Sequence, residues 1–195
     1  GAYFASVLDE ARNAIDPWDK VPRIEIGYGG GREWETYLAH DFGSSAPSVT
    51  YLIAVSPGGN GPDGKFYPRD SLVLLDELAT CKRDKPSEGL GWTVPILAEE
   101  IVSMCSRWNV KPRGVADDAI FARSGHHVGS IADEFARCGV HFRPAKKADR
   151  LTGWNIMRRL LSCSGPASTP TTTRSGCMKS SMAAPSLRNS GLDTT

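Results

Sequence analysis

The segment Thr36-Tyr-Leu-Ala-His-Asp-Phe-Gly43 decides the architecture, because a β-forming run ends there in a carboxylate and then a glycine. After a short turn rich in serine, Ser48–Val55 is rich in β-branched and aromatic residues, which predicts a second strand. A loop of proline, glycine, asparagine and aspartate follows, and Leu72–Leu78 predicts a third strand, apolar enough to be buried. Three strands joined by turn-rich links predict an antiparallel meander.

The hydrophobic period changes after the third strand. Between Val94 and Trp108 apolar residues recur at spacings of three and four, which predicts an amphipathic helix. Serine before the next helix and glycine after it are suited to its N-cap and its C-terminal position. Two further strands and two helices are predicted in alternation, at Gly114–Asp117, Ile131–Cys138, Val140–Phe142 and Arg150–Leu161.

The order β-β-β-α-β-α-β-α predicts an α/β protein with a mixed five-stranded sheet, in which an antiparallel hairpin layer precedes β-α-β units, flanked by helices. By analogy this is the order of the ribonuclease-H fold, where the first and fourth strands lie side by side in mid-sheet. We expect a ribonuclease-H-like domain over residues 36–163, after a lead-in over residues 1–35. Residues 164–195 are rich in Ser, Thr, Pro and Gly without an apolar period, which predicts a disordered tail.

The composition excludes several classes of protein. A formal net charge of +1 excludes a strongly basic chain, so any contact with nucleic acid requires a local patch. No apolar run reaches the ~20 residues of a membrane span, and no signal peptide opens the sequence. The sequence has five cysteines, which is an odd number, and they are widely spaced. This pattern argues against a zinc ribbon or a disulfide framework. We expect a reducing, intracellular setting, no membrane and no secretion.

Acidic residues end three of the predicted strands. They are Asp41 on the first, Asp76 or Glu77 on the third, and Asp117 or its neighbour Asp118 on the fourth. Carboxylates gathered at the rim of a sheet form a site of hard oxygen ligands suited to Mg²⁺ or Mn²⁺. Neighbours on a strand face opposite sides, and the apolar alternation does not decide between the members of either pair.

Five stretches carry a family resemblance: His40-Asp-Phe-Gly-Ser-Ser-Ala-Pro-Ser48, Leu75-Asp-Glu77, Gly114-Val-Ala-Asp-Asp-Ala-Ile-Phe121, Gly129-Ser-Ile-Ala-Asp-Glu-Phe135 and Pro144-Ala-Lys-Lys-Ala-Asp-Arg-Leu-Thr-Gly-Trp154. In combination they resemble the nuclease domain of phage terminase large subunits. The resemblance implies that Asp41, Glu77 and Asp117 are the catalytic residues and that they bind two Mg²⁺ or Mn²⁺ ions. Their implied role is to hold metal, so that the attacking group is metal-activated water.

The function implied by this resemblance is metal-dependent cleavage of double-stranded DNA during viral genome packaging, in the cytoplasm of a bacterial host. The implied partners are DNA, the terminase small subunit, the portal protein and an ATPase domain of the same full-length chain. One alternative is another ribonuclease-H-like nuclease, an integrase or a resolvase. A second alternative is an inactive DNA-binding or motor-docking module.

The sequence departs from the family pattern in two ways, and the second departure, the missing late motif, favours the inactive module. The ATPase domain that normally precedes the nuclease is not found in this sequence. A late acidic–histidine motif is also missing, and low-complexity sequence stands in its place. We expect a truncation or a shifted reading frame in the tail.

A local basic patch stands against the nearly neutral average charge of the chain. Such a patch is a candidate contact for the DNA backbone, with binding that weakens as the salt concentration rises. Its members are Arg143, Lys146, Lys147, Arg150, Arg158 and Arg159.

Overall fold

The computed structural model describes residues 3–23, 33–123, 129–146, 149–162 and 178–180. The helices are α1 (Glu10–Asn13), α2 (Val94–Arg107), α3 (Ile131–Arg137) and α4 (Arg150–Ser162), with a 3-10 helix at Asp118–Phe121. The strands are β1 (Glu35–Asp41), β2 (Val49–Val55), β3 (Gly59–Asn60), β4 (Phe66–Tyr67), β5 (Leu72–Ala79), β6 (Cys81–Lys82), β7 (Lys85–Gly89), β8 (Arg113–Ala116), β9 (His141–Pro144) and β10 (Met178–Ser180). No helix in these ranges has both the length and the apolar character to cross a membrane.

The main sheet has the strand order β10-β5-β2-β1-β8-β9. β1, β2 and β5 form an antiparallel meander, whereas β8 lies parallel to β1 and β9 lies parallel to β8. The five predicted strands are therefore present, and the first and fourth of them lie side by side. The predicted mixed sheet of the ribonuclease-H type is confirmed.

The structure adds elements that the sequence did not predict. β10 pairs with β5 as a sixth strand, inside the tail where no element was expected; the rest of residues 164–195 lies outside the described ranges. A strand of three residues at a sheet edge is held by its partner's backbone, so composition gives little sign of it. The hairpins β3–β4 and β6–β7 were missed because glycine, asparagine, lysine and proline are poor strand formers.

One face of the sheet is covered by α2 and α3 and forms the core. α3 begins with the predicted cap: the Ser130 hydroxyl accepts a hydrogen bond from the Asp133 backbone at 3.1 Å, and the Asp133 carboxylate accepts one from the Ser130 backbone at 2.8 Å. The fully buried residues of the sheet on this side are Leu38, Thr50, Leu52, Ala54 and Val73.

The lead-in packs against the same domain. Trp18 and Trp34 meet Tyr67 edge to face, with ring centroids 5.2 and 5.8 Å away. The amide of Asn13 donates to the carbonyl of Leu161 at the end of α4, at 2.9 Å. The lead-in thus contributes buried side chains and a helix cap to the fold, while the domain limits themselves stay a prediction.

Candidate functional site

Two aspartates lie beside each other where the central parallel strands end. In the parallel pairing of β1 with β8, His40 lies opposite Ala116. The next residue after His40 is Asp41, the last residue of β1, and the next after Ala116 is Asp117, just beyond the end of β8. His40 and Ala116 are buried on the covered face, at 5% and 2% exposure. Strand alternation directs Asp41 to the other face, and the extended backbone of Asp117 (φ −58°, ψ 145°) continues the alternation of β8. Both aspartates are exposed. The two aspartates follow residues that are paired across β1 and β8, and neighbouring strands of a sheet lie about 5 Å apart.

Gly114 permits this close approach of the two strands. A Cβ atom at position 114 would lie 2.0 Å from the carbonyl oxygen of Leu38, its partner on β1. Any side chain there would force β8 away from β1. The spacing of the two aspartates therefore depends on a backbone contact that tolerates only glycine.

A tight turn holds the chain just after Asp41. The hydroxyl of Ser48 lies 3.0 Å from the Gly43 backbone nitrogen, from which it accepts a hydrogen bond. A Cβ on Gly43 would lie 2.3 Å from the carbonyl oxygen of Ala46, so glycine is required by space and not by an unusual φ. The Asp-Phe-Gly-Ser segment thus returns the chain directly into β2.

Asp117 has a second, structural task as the N-cap of the 3-10 helix. Its Oδ1 accepts a hydrogen bond from the Ala119 backbone nitrogen at 3.0 Å. Asp118 is the first residue of that helix and lies outside the strand alternation. Of this ambiguous pair, Asp117 is the residue that lies next to Asp41.

A β-bulge separates Asp76 from Glu77. Along β5, Glu77 pairs with Tyr51 and Asp76 pairs with Leu52, but the register shifts at the next step and leaves Leu75 without a partner. Asp76 therefore lies with Leu52 on the face that α2 and α3 cover. Glu77 lies with Asp41 on the opposite face of the sheet, here called the open face. Unbroken alternation would instead have grouped Glu77 with the buried side chain of Leu75.

Asp76 is bound by the end of α2. Its Oδ2 accepts hydrogen bonds from the Trp108 indole at 3.0 Å and from the Arg107 guanidinium at 3.2 Å. The carboxyl group thus anchors α2 to β5. The family resemblance implies a metal-binding role for Glu77, which stays a prediction, and the register places Glu77 on the face of Asp41.

Glu77 lies at some distance from the aspartate pair. It is two strands away from Asp41 and two residues lower in register, so their Cα atoms are about 12 Å apart. Partial burial raises the pKa of Glu77, and the nearby Asp76 carboxylate adds to the rise. The phenol of Tyr51 is adjacent in register, and burial together with the charge of Glu77 raises its pKa. Tyr51 is a polar neighbour of the site that sequence reasoning missed.

The chemistry of the aspartate pair fits a divalent cation, since carboxylate oxygens are the ligands that Mg²⁺ and Mn²⁺ prefer. Among the described residues, no three His, Cys, Asp or Glu side chains stand close enough together to hold a metal ion. The structure thus brings Asp41 and Asp117 together and leaves Glu77 apart on the same face.

Part of the predicted basic patch flanks this rim. Arg143 pairs in register with Val115, which pairs with Ala39, so Arg143 is on the open face one strand beyond Asp117. The exposed Lys146 follows the end of β9, close to the same rim.

The rest of the patch is on α4 or outside the described residues. Arg158 donates to the Tyr3 carbonyl at 2.6 Å and to the Ser6 hydroxyl at 3.0 Å, so it fastens the lead-in to α4. The guanidinium of Arg150 lies 6.0 Å from the Trp154 ring centroid. The remaining members are Arg159 on α4 and Lys147, which lies outside the described ranges.

No protein-family model matches the sequence, and no curated protein is similar enough to count as a match. Among solved structures, the fold is similar to the large terminase of a thermophilic bacteriophage, with a TM-score of 0.53 and 13% identity over 83% of this chain and 32% of that chain. The complex of that terminase with ADP has a TM-score of 0.51 and 15% identity, over 82% of this chain and 32% of that chain. The nuclease domain of the P22 large terminase aligns over 83% of this chain and 68% of its own, at 15% identity; its TM-score of 0.48 is too low to establish a common fold.

The chain therefore spans about a third of the thermophilic phage terminase, as the 32% coverage states. At these identities the likeness establishes a common fold. It confirms, at the level of fold, the resemblance to phage large terminases that the sequence motifs predicted.

Proposed function

We propose that this chain is the metal-dependent endonuclease domain of a viral DNA-packaging terminase large subunit. The proposal rests above all on the adjacent ends of β1 and β8, where Asp41 and Asp117 lie side by side on the open face. Carboxylate oxygens exposed at such a strand end are the ligands that Mg²⁺ and Mn²⁺ prefer. Support also comes from the likeness of the fold to a phage large terminase.

In the proposed reaction, Asp41 and Asp117 would hold divalent metal, and Glu77 would supply a further carboxylate from β5, beyond Tyr51. Bound Mg²⁺ or Mn²⁺ supplies an activated water and stabilises the leaving 3′-oxygen of a phosphodiester. The cap on Ala119 fixes the direction of the Asp117 carboxylate, which pre-orients it as a ligand. Arg143 is suited to bind a phosphate beside the pair.

The proposed substrate is double-stranded DNA, and the proposed setting is the cytoplasm of a bacterial host during genome packaging. In the complete protein we expect an ATPase domain in the same chain, with the terminase small subunit and the portal protein as partners. These partners follow from the proposed role alone.

The proposal is tested by cleavage of supercoiled plasmid with Mn²⁺ in the Asp41→Ala variant. We expect cleavage to fall about a thousandfold or more, because the variant removes one metal ligand. The matched control is Asp118→Ala, which removes an exposed aspartate next to Asp117 and should leave cleavage near the wild-type rate. Circular dichroism checks that both variants fold, and retained cleavage in Asp41→Ala would refute the assignment.

The alternative of an inactive DNA-binding module is favoured by one observation, namely that no three described carboxylate, imidazole or thiolate groups converge. Titration calorimetry with Mn²⁺ separates the two functions. A nuclease should bind Mn²⁺ and lose that binding in Asp41→Ala, whereas an inactive module should bind none in either form.

A further inference from the structure

An open cavity of about 680 Å³ lies at the opposite end of the central strands from Asp41 and Asp117. One wall is the lead-in at Lys20–Arg23, and the other is the loop between α2 and β8 together with Arg113, the first residue of β8. Trp34 and Trp108 also line the cavity. Its size suits a ligand of ordinary dimensions, and a concave site of this kind binds more strongly than a flat surface.

The walls of this cavity are strongly basic. Lys20, Arg23, Lys111 and Arg113 all line it and are exposed, whereas Glu33 is the one acidic residue among its described lining residues. None of the four cations makes an ion pair with another described residue. The whole chain carries a net charge of only +1, so an excess of three positive charges around one cavity is a local concentration.

We propose that this cavity binds phosphate groups. Four cations that form no ion pair with a described residue repel one another around one concavity. A multiply charged anion relieves that repulsion while it accepts their hydrogen bonds. Arginine on both walls favours a phosphate over a point charge, because a guanidinium binds two oxygens at once. The phosphates belong to a nucleic-acid backbone or to a free nucleotide, and both sources share this chemistry.

The position of the cavity relates it to the aspartate rim. Thr36 lines the cavity at the start of β1, and Asp41 ends the same strand five residues later, about 17 Å away. Double-stranded DNA rises about 3.4 Å for each base pair along its axis. A duplex that ran along this direction would therefore span about five base pairs between the two sites. The inference does not rest on the proposed nuclease activity, because phosphate binding is measured without cleavage.

The test compares binding by the full chain and by Lys111→Gln/Arg113→Gln, in EDTA so that no DNA is cut. The probes are a labelled 20-nucleotide single strand, a labelled 20-base-pair duplex and ATP, followed by anisotropy for DNA and by calorimetry for ATP. Losing two phosphate contacts should weaken DNA binding about tenfold or more at 0.1 M salt and lower the salt slope by about 1.8. The control is Lys65→Gln/Arg83→Gln, which removes the same charge from exposed hairpin positions outside the cavity.

A loss confined to DNA identifies the backbone as the source, a loss confined to ATP identifies a free nucleotide, and either supports the site. Binding that matches the control for every probe overturns it. If Lys111→Gln/Arg113→Gln fails to fold, Lys20→Gln/Arg23→Gln tests the other wall, which belongs to no helix or strand. Nuclease failure is read separately, from plasmid cleavage by the wild type and Asp41→Ala.

Discussion

The two faces of the central sheet carry residues that are neighbours in sequence but differ in burial and in the contacts they make. On the covered face, His40 is buried, its Nδ1 lies 2.8 Å from the Thr50 hydroxyl, and its ring stacks on Phe142 with centroids 4.9 Å apart. Its Nε2 has no hydrogen-bond partner among the described residues. On the open face, Asp41 is exposed beside Asp117. One step along a strand therefore separates a packing residue from a candidate ligand.

The same division recurs on β5, where the bulge assigns Asp76 to the covered face and Glu77 to the open one. The carboxylate of Asp76 is structural, because it accepts a hydrogen bond from Trp108 at the end of α2. Burial, together with the charge of Asp76, raises the pKa of Glu77, so its negative charge is poorly solvated. The comparison teaches that the two carboxylates cannot exchange roles, although they are adjacent and chemically alike.

Among the effects that test the comparison of the two faces, the largest is expected from neutralising the two carboxylates of β5 separately. Glu77→Gln should lower Mn²⁺-dependent cleavage about a hundredfold or more, with stability unchanged or slightly raised, because the fold disfavours its charge. Asp76→Asn should keep cleavage but lower the free energy of unfolding by about 1–2 kcal/mol, because Arg107 and Trp108 lose a charged acceptor. Urea unfolding and plasmid cleavage measure both. The reverse pattern would contradict the register.

A smaller effect is expected from pH on the covered face. Burial lowers the pKa of His40 from 6.5 to about 4, so the unfolded chain takes up the proton first as the pH falls. The contribution of neutral His40 to the free energy of unfolding should be at its full value above pH 6.5. It should decline by about 3 kcal/mol as the pH falls to about 4. His40→Leu should lose about 3 kcal/mol less over this range than the wild type. Urea titrations in EDTA at each pH give the comparison, and equal pH dependence of the two proteins would contradict a buried neutral imidazole.

The smallest effect is expected at the contact between β1 and β8. Gly114→Ala should lower the free energy of unfolding by about 1–3 kcal/mol, since its Cβ would collide with the Leu38 carbonyl. Cleavage should fall as well, because the strands that carry Asp41 and Asp117 would move apart. Gly153→Ala is the control: it lies in α4 with nothing within 4 Å of the added atom and should stabilise by about 0.5–1 kcal/mol. Equal unfolding midpoints for the two variants would disprove the close approach.

The sequence predicted the five main strands and the three longer helices because each has a hydrophobic period of its own. It also predicted that Asp41 ends the first strand, because an acid that ends a β-forming run shortly before a glycine is visible locally. The choice between Asp76 and Glu77 stayed open from the pattern alone, because the bulge at Leu75 arises from pairing with β2 and not from β5 itself. Only the family resemblance favoured Glu77.

Other features depend on contacts between distant parts of the chain. Arg158 is predicted as a DNA contact, but it also binds the lead-in at Tyr3, which no local pattern on α4 could indicate. The basic cavity unites Lys20 and Arg23 with Lys111 and Arg113, two pairs that are far apart in sequence. Tyr51 was missed because its relation to Glu77 exists only across a strand pair.

The parallel pairing of β1 with β8 also has a consequence for folding kinetics. Between these strands the chain passes through six other strands and α2 before it returns to lie beside β1. Closing such a long loop costs conformational entropy before the pairing returns any enthalpy, so this contact is expected to form late. The two aspartates meet only after that closure, and a nascent or partly folded chain therefore carries them far apart. Any activity that needs both carboxylates begins only when the chain has completed its fold.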